Sequence, residues 1–518
     1  MKTIIAALFL LTLALQGYSQ YPNITISSGN DPEEPSILIN PRSPNILVAG
    51  ANIRAYYYSI DSGYTWHEGT LNSSYGVWGD PCILIDTAGA FYYIHLSVPP
   101  NGYWLDRMVC QKSTDNGQTW DNGSFMGLNP PKEQDKEWAV IDPANNYIYT
   151  CWTQFDHYNS ASPADSSVIL FSRSADGGAT WSPTKRINKV AGDCLDKSNT
   201  VEGAVPAVGP GGEVYVSWAG PAGLVFTKST DHGLTWPSEN ILVNSMPGGW
   251  DFAVPGIYRA NGMPVTCCDL SNGPNRGTIY INWSDQRNGL TDTDVFFTKS
   301  TDNGQTWSNP KRVNDDPPGK QQFFSWMTVD QATGSIYIVF YDRRNYQDTR
   351  TDVYLASSHD GGETFRNFRI SESPFVPNAT VFFGDYTAIS AWNNMVRPAW
   401  ARLDNFNLSV ITAIIDSANV VHTPELEPSL PVALDQNYPN PAGSFTYMSF
   451  KLHRPSVVSL NIYDLYGNRV VTLIDNKHLQ AGKYVEGLDL AGKRLNAGVY
   501  YYRLSTEEKT LSKRMIIR

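Results

Sequence analysis

An eight-residue turn pattern, S-x-D-x-G-x-T-W, recurs six times without gaps: from Ser59, Ser113, Ser174, Ser229, Ser300 and Ser358, the last closing on Phe. The spacing is roughly 55–70 residues, a period that marks propellers and solenoids. Each copy has the chemistry of a hairpin turn. Its Asp (Asp61, Asp115, Asp176, Asp231, Asp302, Asp360) can accept bonds from the turn's own N–H groups, and the Gly two residues on permits positive φ. The closing aromatic is expected to start the next strand and pack into the same sheet. Alternating apolar runs such as DVFFTKS (Asp294–Ser300) precede the turns, and short edge strands such as KRIN (from Lys185) follow them. Each repeat therefore reads as four strands, with the turn between the third and fourth.

Counting repeats rather than turns adds a seventh. Thr387–Ile415 carries three strands and no turn motif, and Asn23–Ser27 resembles its missing edge strand. The expectation is an all-β, seven-bladed ring over residues 21–415 that closes through Asn23–Ser27 and removes its exposed edges, with six blades as the alternative. Residues 416–436 are Pro-rich and read as a linker. Residues 437–518 alternate apolar and polar positions, as in SVVSLNIYDLYGNRVVTLI, and are expected to form a small β-sandwich.

The first twenty residues have a lysine, a short apolar core and small residues before Tyr21, the pattern of a signal peptide. No later stretch supplies the roughly 18 consecutive apolar residues of a membrane helix. A net charge of -11 argues against a nucleic-acid partner. Six cysteines suit an oxidising destination; Cys82 and Cys110 are candidates for a disulfide, and the adjacent Cys267 and Cys268 read equally as buried thiols or as a vicinal bond.

The six turns resemble the Asp-box (BNR) repeats of the sialidase-like propeller superfamily, over Asn23 to about Ile415. In that family such turns shape the rim and lie away from the site. The tail resembles the type A C-terminal sorting domain of the Bacteroidetes type IX secretion system, in NYPNPAGSFT (Asn437–Thr446), IYDLYGNRV (Ile462–Val470), LNAGVYYYRL (Leu495–Leu504) and KRMIIR (Lys513–Arg518). That resemblance implies export through the outer membrane, contact with the secretion machinery, and release or anchoring at the cell surface. The first resemblance implies three arginines clamping a carboxylate, a Glu-activated Tyr and an Asp acid/base. At the first arginine position, however, this chain has Glu33, which would repel a sialic acid.

In a propeller the entries to the innermost strands form one funnel. Those entries supply carboxylates and aromatics: Asp80, Glu202, Asp385 and Tyr386 as candidate catalytic groups, and Trp78, Asp135, Glu137, Trp138, Asp251 and Trp326 as candidate substrate contacts. Arg397 (a further candidate contact) and Arg402 are the unrepeated arginines expected near the funnel. The same carboxylate oxygens suit Ca2+. Two functions follow: a glycoside hydrolase acting on a glycan other than a standard sialoside, or a non-catalytic surface propeller binding a carbohydrate, glycoprotein or other protein.

Overall fold

The computed structural model describes residues 21–416 and 432–518, apart from seven single positions between 435 and 508. The expected signal peptide and residues 417–431 of the expected linker lie outside the described residues. Among the described residues every regular element is a strand, and no helix is long and apolar enough to cross a membrane. The chain divides into two compact units, Met1–Val420 and Val421–Arg518.

The first unit contains seven four-stranded antiparallel sheets. Their first strands, in chain order, are Ser36–Ile39, Cys82–Ile85, Glu133–Ile141, Glu202–Val208, Val265–Cys268, Gln322–Val329 and Ala388–Trp392. Each first strand packs on the next, and the seventh packs back on the first. The seventh sheet is completed by Asn23–Ser27, which pairs with Asn407–Ala413 as the sequence leads one to expect. The first strands enclose a largely apolar axial cavity of about 360 Å³, walled by residues such as Ile37, Ile83, Val205, Met327 and Ile389.

All six boxes adopt one turn. In the fifth, Thr306 donates its N–H and hydroxyl to the Asp302 carboxylate at 2.9 and 2.5 Å, Ser300 donates its hydroxyl at 2.7 Å, and Gly304 N–H donates to Ser300 Oγ at 2.8 Å. The closing ring does something the sequence does not predict. Trp236, Trp307 and Phe365 pack edge-on against Phe171, Phe226 and Phe297, at 4.9, 5.0 and 5.1 Å between centroids. Each of these partners lies on the third strand of the preceding sheet, so the box ties neighbouring sheets together. Between the sheets Trp152, Trp218, Trp283 and Trp400, all on second strands, are fully buried. Such rings contribute roughly 2–3 kcal/mol each by burial.

All six cysteines are free thiols. Cys82 and Cys110 face the same Ile94 from opposite sides, two strand spacings apart, or roughly 9–10 Å. That is beyond the Cα separation a disulfide spans. Cys267 and Cys268, as neighbours in one strand, point to opposite faces.

In the second unit, a three-stranded sheet (Val432–Leu434, Phe445–Leu452, Gly482–Asp489) and a four-stranded sheet (Arg469–Leu479, Ser456–Tyr463, Gly498–Ser505, Thr510–Ile517) share one apolar core around Met448, Phe450, Leu460, Tyr502 and Met515. Val432–Leu434 falls inside the stretch read as linker, yet it pairs with Phe445–Leu452.

Candidate functional site

At one end of the ring the first strands begin with a shared irregularity. Glu34, Asp80, Lys136, Gly203 and Phe324 each have a positive φ, between 51° and 72°, just before the wall of the cavity starts. In three sheets the ladder visibly slips there, between Asp135 and Trp138, Glu202 and Val205, and Phe323 and Trp326. A bulge of this kind re-aims side chains. Here it turns three charged groups from successive sheets toward one point.

That point is the Lys136 ammonium. Its Nζ lies 2.8 Å from Asp385 Oδ2 and 3.4 Å from both Glu34 Oε1 and Asp80 Oδ2, and all four side chains are buried. Asp385 is held on its other side by Arg259, whose Nε donates at 2.8 Å and whose second guanidinium nitrogen closes a bidentate pair. Arg259 also donates to Asp196 at 2.8 Å, and Tyr158 donates its hydroxyl to the same carboxylate at 2.7 Å. Asn52 bridges the first two sheets: its amide donates to Glu34 and its Oδ1 accepts from Asp80 N–H at 2.7 Å. Asp385 N–H donates to Glu34 Oε1 at 3.0 Å.

The electrostatics split the carboxyls. Although burial opposes ionisation, Lys136 and Arg259 hold Asp385 well below the usual range. Burial dominates elsewhere. It pushes Glu33 up to about 7, aided by Asp80, and Asp135 up to about 7, again aided by Asp80. It drives Glu34, Glu137 and Glu202 far above the ordinary value. No other residue's donor reaches the Glu137 oxygens, and the one side-chain hydrogen-bond partner of Glu202 is the Asp196 carboxyl. Tyr386 packs edge-on against Trp138 at 4.7 Å, and its hydroxyl is unpartnered. Burial, with Asp80 and Glu34, pushes that hydroxyl far up, the opposite of what a phenolate nucleophile needs.

Asp80, Asp135, Glu137, Trp138, Glu202, Trp326, Asp385 and Tyr386 all converge on this mouth or the aromatic plug beneath it, where Trp138 and Trp326 pack at 4.5 Å. Asp251, half-buried, lines the same small void as Glu202. Trp78, next but one to Asp80, is exposed. Arg397 does not belong to the mouth. It lies near the start of a second strand, at the opposite end of the ring, where it is fully buried and donates to the Ser62, Val396 and Ile415 carbonyls and to Asp416. It braces the first box turn. Arg402 is engaged with Asp404 and the Ser373 carbonyl.

Sequence reasoning overlooked Lys136, Glu34, Asp196 and Arg259. Lys136 sits between two acids already singled out, in DKEW. Arg259 lies in the stretch between Trp250 and Met263, which no other repeat matches. Around the mouth these groups carry aromatic neighbours: Trp104 packs edge-on against Tyr158 at 5.3 Å, the Arg259 guanidinium lies 5.1 Å from the Phe382 ring centroid, and Tyr258 meets Phe382 at 6.0 Å. Trp104 is 42% exposed and Tyr258 60%. Among the described residues, no group of three His, Cys, Asp or Glu side chains is placed to hold a metal ion. The cation at the centre of the carboxylates is the lysine itself.

The tail is decided by a family comparison: residues 436–518 match the model of the secretion system C-terminal sorting domain. This chain carries a type IX sorting domain. The sorting domain marks the protein for the cell surface or the extracellular space. None of the curated proteins compared matches the chain. Solved structures similar to it include an ulvan lyase from a new polysaccharide lyase family (14% identity, 76% of this chain and 96% of that one, TM-score 0.47). A mutant NanB sialidase from Streptococcus pneumoniae is also similar (10%, 72% and 84%, 0.43), as is an α-L-arabinanase from Penicillium chrysogenum (15%, 66% and 97%, 0.40).

Proposed function

We propose that residues 21–415 form a seven-bladed Asp-box propeller, joined by a linker over 416–436 to a sorting β-sandwich over 437–518, and that the propeller binds carbohydrate or glycoprotein outside the cell without cleaving it. One observation carries this reading: the three carboxylates around Lys136 are already spent. Asp385 is clamped by both Lys136 and Arg259, and Glu34 and Asp80 share the same ammonium, all with little access to solvent. A base so engaged is poorly placed to activate water or attack a sugar. Above this sealed floor stands an exposed aromatic rim, including Tyr103, Trp104 and Tyr258, and such faces suit the apolar faces of sugar rings. Titration of the full chain against a glycan panel should find retained glycans, and Trp104→Ala with Tyr258→Ala should weaken retention about tenfold, a change of about 1.4 kcal/mol. Unchanged retention by the double variant would remove the rim from the account.

A hydrolase is the second reading, and a specific pair favours it. Asp385, whose carboxylate form is favoured, and Glu202, whose acid form is favoured, line the same void, which is the division of labour that glycoside hydrolysis uses.

A further inference from the structure

The carboxyl groups at the mouth outnumber its cations, and one of them is left unmatched. Lys136 is committed to Asp385, Glu34 and Asp80, and Arg259 to Asp385 and Asp196. Glu202 remains 1% exposed; no cation or N–H reaches its oxygens, and its one side-chain hydrogen-bond partner is the Asp196 carboxyl. It faces a void of about 10 Å³ that Asp196 and Asp251 also border. A space of that size holds one water-sized group. It lies near the surface: Asp251 is half-buried, and the Arg259 side chain beside it is 35% exposed.

We propose that the glycan held at this mouth carries a free amino group, whose ammonium docks between Glu202 and Asp251. The inference rests on the carbohydrate-binding reading and narrows it to amino sugars that are not acetylated. An ammonium supplies donors to the Glu202 oxygens and takes the place of the proton that burial favours there, leaving the carboxyl ionised and paired. A sugar carboxylate would meet Asp196, Asp251 and Asp385 beside Glu202, where the two cations of the lining, Lys136 and Arg259, are already paired. A hydroxyl fills the void but leaves Glu202 as the neutral acid. Burial, Asp196 and Asp135 push the Glu202 carboxyl up, and a neighbouring cation relieves that strain on its ionised form. Of the cations nearby, Lys197 acts on Asp251, and Lys136 and Arg259 are bound as described.

Calorimetric titration of the full chain with three probes tests this: a fully deacetylated chitosan tetramer, the fully acetylated chitin tetramer, and sialyllactose, in mildly acidic buffer where the amine is charged. The chitosan probe should bind about tenfold tighter than the chitin probe. Glu202→Gln and, separately, Asp251→Asn should erase that preference, bringing the affinity for the chitosan probe down to that for the chitin probe measured on the same variant. Equal affinity for the two tetramers would overturn the amine and leave the carbohydrate reading standing, as would a preference that survives both variants. Tighter binding of sialyllactose would also overturn it. Binding of none of the three would remove both.

Discussion

Three carboxylates from three sheets crowd Lys136, and without its ammonium they would repel one another in a site that excludes water. Removing one member of a buried ion network costs about 3–5 kcal/mol, because the partners stay buried and uncompensated. Lys136→Met should therefore lower the melting temperature markedly, and added salt should not mimic the loss, since the group is screened from solvent. A variant that melts like the wild type would mean that the cluster is not the brace described. In the sequence, the residues flanking Lys136 were legible as chemistry and the lysine was not. Residue type shows which groups can ionise. The left-handed backbone at Lys136, Asp80 and Glu34, which decides which of them turn inward, leaves no mark in non-glycine residues.

At the scale of the element, the six boxes and the mouth act on stability in opposite senses. In Asp176, Asp231 and Asp360, bonds from the turn's Thr and Ser outweigh slight burial and hold the carboxyls near 2. Folded values below the unfolded one mean that this stabilisation is present above about pH 4 and lost as pH falls through about 2. Glu33 and Asp135, raised to about 7, behave the other way: their contribution is full below about pH 4 and fades as pH rises through about 7. The melting temperature should peak at mildly acidic pH and decline toward pH 8; a value that climbs steadily from about pH 5 to 8 would contradict the burial of the mouth. The box turn and its flanking strands were legible because period-two alternation and an Asp–Gly turn are local signals. The packing of Trp307 on Phe226 was not, since it depends on how one sheet leans on the next.

For the whole molecule, Asn23–Ser27 was legible as a closing strand because the unit from Thr387 lacked a fourth strand. Arg397 was misplaced because unrepeated status says nothing about which end of a strand a residue occupies; antiparallel order puts it at the end away from the mouth. The same order gathers Glu34, Asp80, Lys136, Glu202 and Asp385 from five separate sheets, a convergence that only ring closure provides. The central claim is that this convergence builds an ion-paired floor around Lys136 beneath a binding rim. Its most direct test is release of reducing ends when the full chain is incubated with the glycans it retains. The account predicts the same background release from the wild type, Asp385→Asn and Glu202→Gln. Release by the wild type that either substitution abolishes would contradict it.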